Sequence, residues 1–289
     1  MPPFTLTPMS SLRHVSATRF VAPFREGGSL PGLVEADDDG MYVVKFAGAG
    51  QGVKVLVAEV IVGELARALG LRVPELVTID LPPPIAKYEA DEEVQDLLNA
   101  SPGTNLGLDY LPGAFGYDGS RPAEAAEADA ILWLDALTAN VDRTWDNPNL
   151  LLWHRRTWLI DHGASLYFHH SWPSRPPNPE RFAAQPFDAG RHVLRDLATG
   201  LPGRHEEFAA VLDRATLEGI VALVPDAWLE PTETLPAPDA LRTAYVEHLL
   251  ARLAAPAAWL PQEPSGSPGD RTEPPAARRG AGRPDWLSR

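Results

Sequence analysis

No cysteine occurs among the 289 residues, so the chain can form neither disulfides nor thiolate metal sites. A run of about 18 apolar residues, the length that spans a bilayer, is also missing. The first residues, Met1-Pro2-Pro3-Phe4, supply no basic flank leading into an apolar signal core. The expected setting is therefore cytoplasmic, with no membrane contact. Positive charge is in short supply: 25 Lys and Arg stand against 39 Asp and Glu, a formal charge of −14. A duplex binder needs a cationic surface to neutralise phosphates, so no direct nucleic-acid partner is expected. Much of the acid lies in Asp37 to Asp39 and Ala90 to Asp96, read as solvated surface. Neither His-Glu-x-x-His nor Gly-x-Ser-x-Gly occurs, which removes the sequence basis for a zinc hydrolase or a serine hydrolase. No repeat of solenoid length is present.

Lysine is scarcer still. Of the 25 basic residues only Lys45, Lys54 and Lys87 are lysine. Lys45 closes the run Met41-Tyr42-Val43-Val44-Lys45-Phe46, a strand pattern interrupted by one ammonium. A compact charge on a flexible stem reaches between phosphates where a planar guanidinium does not fit. The alternative is an edge-strand lysine extending its stem to water.

What is present reads as two parts. Arg19 to Phe24 predicts a first strand after an irregular lead-in. Glu26-Gly27-Gly28-Ser29 then predicts a hairpin whose backbone approaches phosphates or simply turns. Asp37 to Gly40 turns the chain back into the Met41 to Phe46 strand. Beyond the glycine-rich stretch Gly48 to Gly52, the apolar spacing of Leu56, Val57, Val60, Ile61, Leu65 and Leu69 predicts a helix closed by Gly70. Glu59 and Glu64 lie on it about 140° apart, so only one of them faces Lys45. Val73 to Asp80 and Leu106 to Leu111 predict further strands, and Pro112-Gly113 marks a connector, placing the division near residue 110. Ser120 and Pro122 predict the start of a buried helix that runs to Asn140. Helices are predicted again at Gly190 to Leu197, His205 to Ala215, Thr216 to Leu223 and Asp239 to Leu253, with loop over Ser171 to Pro186. The expected organisation is an α+β chain with a small β-rich N-lobe of one helix (1–110), a larger, mainly helical C-lobe (111–260), and a Pro-, Gly- and Arg-rich tail (261–289) expected to be disordered.

The chemistry concentrates after the buried helix. In Asn140-Val141-Asp142-Arg143-Thr144-Trp145-Asp146-Asn147 an aspartate stands five residues before an asparagine. Two strand-like runs, Asn149 to Trp153 and Arg156 to Ile160, then lead to Asp161-His162-Gly163. One carboxylate orienting a hydroxyl, with an amide oxygen and a second carboxylate holding magnesium, is the arrangement phosphoryl transfer requires. Asp and Asn beside Pro and Trp are also ordinary turn residues.

In this order the pieces resemble the HipA-like kinase family, a bacterial branch of the protein-kinase-like fold. The resemblance runs from about Phe24 to Leu166 and rests mainly on Glu59 to Pro74 and on the Asn140 to Asn147 loop. It implies an ATP- and Mg2+-dependent phosphotransferase, of serine/threonine protein-kinase type. Lys45 would contact phosphates and pair with Glu59, Asp142 would be the base, and Asn147 and Asp161 would hold Mg2+. Gly27, Gly28 and Ser29 would form the phosphate loop, with Ser29 a possible phosphorylation site in the family's manner. Leu108, Asp109 and Tyr110 would lie at the hinge beside adenine. Thr144 stands where the family usually has histidine, and Asp161-His162-Gly163 replaces its usual pair of aspartates around an aromatic. The short N-terminal part suggests a form without the extra small domain of longer toxin members, so a toxin role is not carried over. A protein or small-molecule hydroxyl is the expected acceptor. The competing expectations are a small-molecule kinase and a nucleotide-binding interaction module with little catalysis.

Overall fold

In the computed structural model, residues 11–25 and 30–261 are described. The proposed phosphate loop Gly27, Gly28 and Ser29 lies outside them, as does residue 262 onward of the expected tail.

Strand pairing begins earlier than the sequence suggests. β1 covers Arg13–Pro23, β2 Gly32–Ala36 and β3 Met41–Lys45; β4 (Leu76–Leu81) and β5 (Gly103–Asp109) follow. Together they close into a barrel in the order β1-β2-β3-β5-β4, because residues 13–16 of β1 run parallel to 77–80 of β4. Side-chain alternation sorts the two faces. Val34, Ala36, Tyr42, Val44, Val77 and Ile79 fill the barrel, while Val43 packs on the opposite side. Lys45 shares the parity of Val43, so the strand period alone carries the ammonium out of the barrel interior.

Helix α1 (Val53–Ala68) crosses that outer side. Every residue from Leu56 to Gly63 is buried, as expected of a helix enclosed on all sides rather than amphipathic. Among the described residues the barrel region has two α-helices rather than the one expected. The acidic piece read as solvated surface forms α2 (Glu92–Asn99), preceded by a 3-10 turn at Pro83–Tyr88. Asp91 caps α2 by accepting from the Glu93 N–H at 3.0 Å, Glu92 and Glu93 suit its N-terminus, and Val94 and Leu98, one turn apart, enter the barrel core. The acids are indeed exposed, but they form the outer face of a helix.

Beyond β5 come β6 (Phe115–Gly116), α3 (Ala125–Thr138), and the hairpin β7 (Leu150–Trp153) and β8 (Arg156–Leu159), which joins β6 in a three-stranded sheet. His154 and Arg155, which lie between the two predicted strand runs, turn the hairpin, both with positive φ. Ser120 does not cap α3, whose N-cap is Glu124; the Ser120 N–H closes a local turn onto Asp118 instead. The predicted loop Ser171 to Pro186 contains the short helix α4 (Pro179–Ala183), capped by Asn178 with Pro179 in its first turn. The helix expected at Gly190 to Leu197 is absent. Its backbone is used elsewhere: His192 bridges Thr144, and the Val193 N–H donates to the Arg143 carbonyl at 3.1 Å. Helices α5 (His205–Val211), α6 (Arg214–Ala222), α7 (Pro238–Leu253) and α8 (Pro256–Trp259) complete the fold. Among the described residues no helix is long and apolar enough to cross a membrane.

Two buried groups tie the helices together. The Arg252 guanidinium of α7 donates to the carbonyls of Ala136, Phe182 and Gln185 and lies over the Phe182 and Trp259 rings. Burial without a carboxylate lowers its pKa to about 10. His169, fully buried, meets the Tyr245 hydroxyl at 2.9 Å through Nδ1. Burial, reinforced by His170 and Lys54, holds the His169 pKa well below 6.5. A depressed pKa gives stability that is complete above the unfolded value and is lost as pH falls. Below pH 6.5 the stability advantage of wild type over His169→Gln should therefore shrink, by up to about 1.4 kcal/mol per pH unit. Urea unfolding of both proteins between pH 7 and pH 5 measures this.

Candidate active site

β3 ends on Lys45 and α1 brings Glu59 over it, one turn beyond its first. Lys45 Nζ donates to Glu59 Oε1 and, at 2.7 Å, to Asp161 Oδ1. The predicted choice between the two helix glutamates falls to Glu59, which is fully buried, while Glu64 pairs with Arg67 on its own helix. Burial alone would lower the ammonium pKa, but the carboxylates of Glu59 and Asp161 outweigh it and raise it. For Glu59 burial prevails: with Asp161 adding repulsion, it outweighs the attraction of Lys45 and raises the pKa as well. For Asp161 burial is overcome by Lys45, and the pKa is lowered. Asp161 has φ of 57°, a left-handed conformation a non-glycine residue holds only where its surroundings enforce it. The turn that follows runs close against α1 at Gly163. A Cβ there would stand 2.5 Å from Val55 Cγ1 and 3.2 Å from Glu59 Oε1, so only glycine lets this turn approach α1 so closely.

The loop after α3 holds the other half. Asp142 Oδ2 accepts from the Asn147 amide at 2.8 Å and from the Asn149 amide at 3.4 Å. With its NH2 group committed to Asp142, Asn147 has its carbonyl oxygen left for a cation. Thr144 fixes the turn: its N–H donates to the carbonyls of Asp142 and Asn147, and its hydroxyl accepts from the Asn147 N–H at 3.3 Å. The residue that departs from the family pattern is thus a turn-former.

A buried ionic hub, not foreseen from the sequence, joins the two halves. Arg143, fully buried, donates through Nε to Asp135 Oδ2 of α3 at 2.6 Å, and through its two terminal nitrogens to the carbonyls of Asn149 and Ile160 and to His162 Nδ1. Asp135 also accepts from the Asn140 amide at 3.0 Å and meets His192 Nε2 at 2.9 Å. Since His192 Nδ1 accepts from the Leu194 N–H, the proton sits on Nε2 and points at the carboxylate. Burial would raise the Asp135 pKa, yet Arg143 and His192 bring it down to about 2. The Ile160 N–H closes onto the Asn149 carbonyl at 3.1 Å. Asp142 to Asn149 and Ile160 to His162 are therefore held to one guanidinium. A carboxylate inside the apolar run Ile131-Leu132-Trp133-Leu134-Asp135-Ala136-Leu137 was the available signal, because a charge so placed needs a buried partner. His162 is buried as well; burial, then repulsion from Arg143, lowers its pKa to about 3, so it is neutral.

The expected hinge lies at the end of β5. Leu108 is buried and pairs with Val43 and Leu76, and the N–H groups of Asp109 and Tyr110 donate to the carbonyls of Glu75 and Met41. Those two donors are already engaged. Among the described residues no three His, Asp or Glu side chains converge as a metal cage. One carboxylate and one amide oxygen, Asp161 and Asn147, nonetheless suit a cation that keeps several waters and takes the rest of its shell from phosphates.

Among solved structures, the Helicobacter pylori proinflammatory kinase CtkA is similar with TM-score 0.46 and 13% identity, over 79% of this chain and 93% of that one. The Golgi casein kinase with Mn/ADP bound is similar with TM-score 0.43 and 12% identity, over 86% and 74%. No curated protein matches the sequence. The model of the HipA-like kinase family matches residues 18–261, well beyond the Phe24 to Leu166 stretch that carried the resemblance and most of the 289-residue length. The chain belongs to the HipA-like kinase family.

Proposed function

We propose that the chain transfers the γ-phosphoryl group of ATP, with Mg2+, to a hydroxyl, and that the acceptor is a serine or threonine of a protein. The observation that carries this is the buried Lys45–Glu59 pair reaching Asp161 while Asp142 and Asn147 are bonded side by side on a loop tied to the same turn. Asn147 and Asp161 would hold the metal, whose charge screens the phosphate oxygens. Lys45, steadied by Glu59, would contact those oxygens. Both amide bonds to Asp142 fall on Oδ2, so Oδ1 is the oxygen left to orient the acceptor hydroxyl and take its proton. The acceptor oxygen bonds to the γ-phosphorus as the bond to the bridging oxygen breaks, and ADP leaves. Because the N–H groups of Asp109 and Tyr110 are engaged, adenine would use other backbone groups at the end of β5.

Two measurements on the whole chain test this. ATP with Mg2+ should raise the thermal midpoint, and EDTA should remove the effect, since a ligand selective for the folded state stabilises it by mass action. Incubation with labelled ATP and a cell extract should place label on protein Ser or Thr. Label confined to small metabolites would replace the protein acceptor by a small molecule. Binding without transfer to any acceptor would leave a nucleotide-binding module and sink the enzyme assignment.

A further inference from the structure

The two partners of the central ion pair are held from outside the site by one segment, Val224 to Glu230. α7 anchors it: Arg242 donates to the Val224 carbonyl at 2.7 Å and to Asp226 Oδ1 at 2.5 Å. Trp228, 2% exposed, sits on a 3-10 turn at Asp226–Trp228 and donates its indole N–H to the Thr104 carbonyl of β5 at 3.1 Å. The neighbour of Thr104 is Asn105, fully buried, whose Oδ1 accepts from the Ala47 N–H at 2.7 Å, two residues beyond Lys45. Two residues past Trp228, Glu230 accepts from Lys54 in the first turn of α1 at 2.8 Å. One contact thus secures the strand side that carries Lys45, and the other secures the helix that carries Glu59.

In protein kinases the helix bearing the glutamate is commonly the moving part, and its position decides whether the lysine–glutamate pair forms. Here that helix is enclosed on every face and tied at its first turn. We infer that the Val224 to Glu230 segment is a brace that keeps the Lys45–Glu59 pair formed in the absence of nucleotide, with Trp228 as a positioning residue for phosphate binding. The role in phosphate binding rests on the function proposed above; the bracing of α1 does not.

The test uses the whole chain without nucleotide and hydrogen exchange of α1 amides as its first readout. The double variant Trp228→Phe with Glu230→Gln keeps an aromatic ring at 228 and the side-chain shape at 230, but removes the indole N–H with its pyrrole ring and the charge. α1 amides should exchange about tenfold faster, while those of α3 stay unchanged. Exchanging the charges, Lys54→Glu with Glu230→Lys, should restore α1 protection relative to Glu230→Lys alone. In the phosphotransfer assay, KM for ATP should rise in the double variant about tenfold more than kcat falls. Wild-type α1 exchange in the double variant overturns the brace, and so does a rise spread evenly over α1 and α3, which would be general loosening. Faster α1 exchange with an inactive wild type leaves the brace standing and removes the kinase reading alone.

Discussion

Asp142→Asn should lower phosphotransfer by about 10²- to 10⁴-fold, the usual contribution of a positioned acid–base group, while ADP·Mg2+ affinity stays within about twofold of wild type. The replacement keeps shape and removes the proton acceptor. In the parent, Asp142 Oδ2 takes two amide donors, from Asn147 and Asn149. An asparagine at 142 must turn its own carbonyl oxygen toward them, since two NH2 groups cannot face each other. Its NH2 group then occupies the position that receives the acceptor hydroxyl, and an amide cannot accept the proton. Wild-type transfer by the variant would show that Asp142 is not the base. Calorimetric titration with ADP·Mg2+ separates this from loss of the nucleotide site, because Asn147 keeps an oxygen partner for its amide.

Arg143→Met should cost about 3–5 kcal/mol of stability, the penalty for leaving one member of a buried pair without the other. Asp135 would keep only Asn140 and His192 in a place that water does not reach. The Ile160 carbonyl would lose the Arg143 donor and the Asn149 carbonyl would keep only the Ile160 N–H, so the Asp142 loop and the Asp161 turn would loosen together. Adding Asp135→Asn should recover part of the loss, since the amide needs no counter-charge; equal stability of the single and double variants would show the carboxylate is not the source. The pH response should move as well. The Asp135 pKa is held at about 2, below its ordinary 3.8, so its contribution is present above pH 3.8 and lost as pH falls toward 2. Without Arg143 the pKa rises toward or past the unfolded value, so the acid-linked loss shrinks, and in urea unfolding the stability gap between wild type and the single variant should narrow as pH falls from about 5 to about 2.

Local rules made much of this legible. Lys45 declares itself as the charge that breaks a strand pattern, Glu59 follows from helical spacing, and the turn at His154 and Arg155 follows from two short apolar runs around it. What escaped the sequence depends on long-range pairing. Nothing near Arg143 announces His192, which lies 49 residues on, and the segment around His192 carries helical spacing that its bridge to Thr144 overrides. The capping signal at Asp91 was present in Ala90 to Asp96, but the weight of charge disguised the two apolar residues that anchor α2. Ser120 erred in the opposite sense: a good capping residue was used by a nearby Asp turn.

The parallel contact between β1 and β4 carries a consequence for recognition. A ring of strands has no first or last member, and among the described residues only the Thr18 to Pro23 stretch of β1, which pairs with β2 alone, leaves one side of a strand open to another chain. If the acceptor is the proposed protein segment, β2, β3 and β5, each paired on both sides, cannot recruit it by strand addition. Side chains around the Asp142 loop, where Val141 is 68% exposed and Arg191 reaches Asp146 at 3.3 Å, would then carry its recognition.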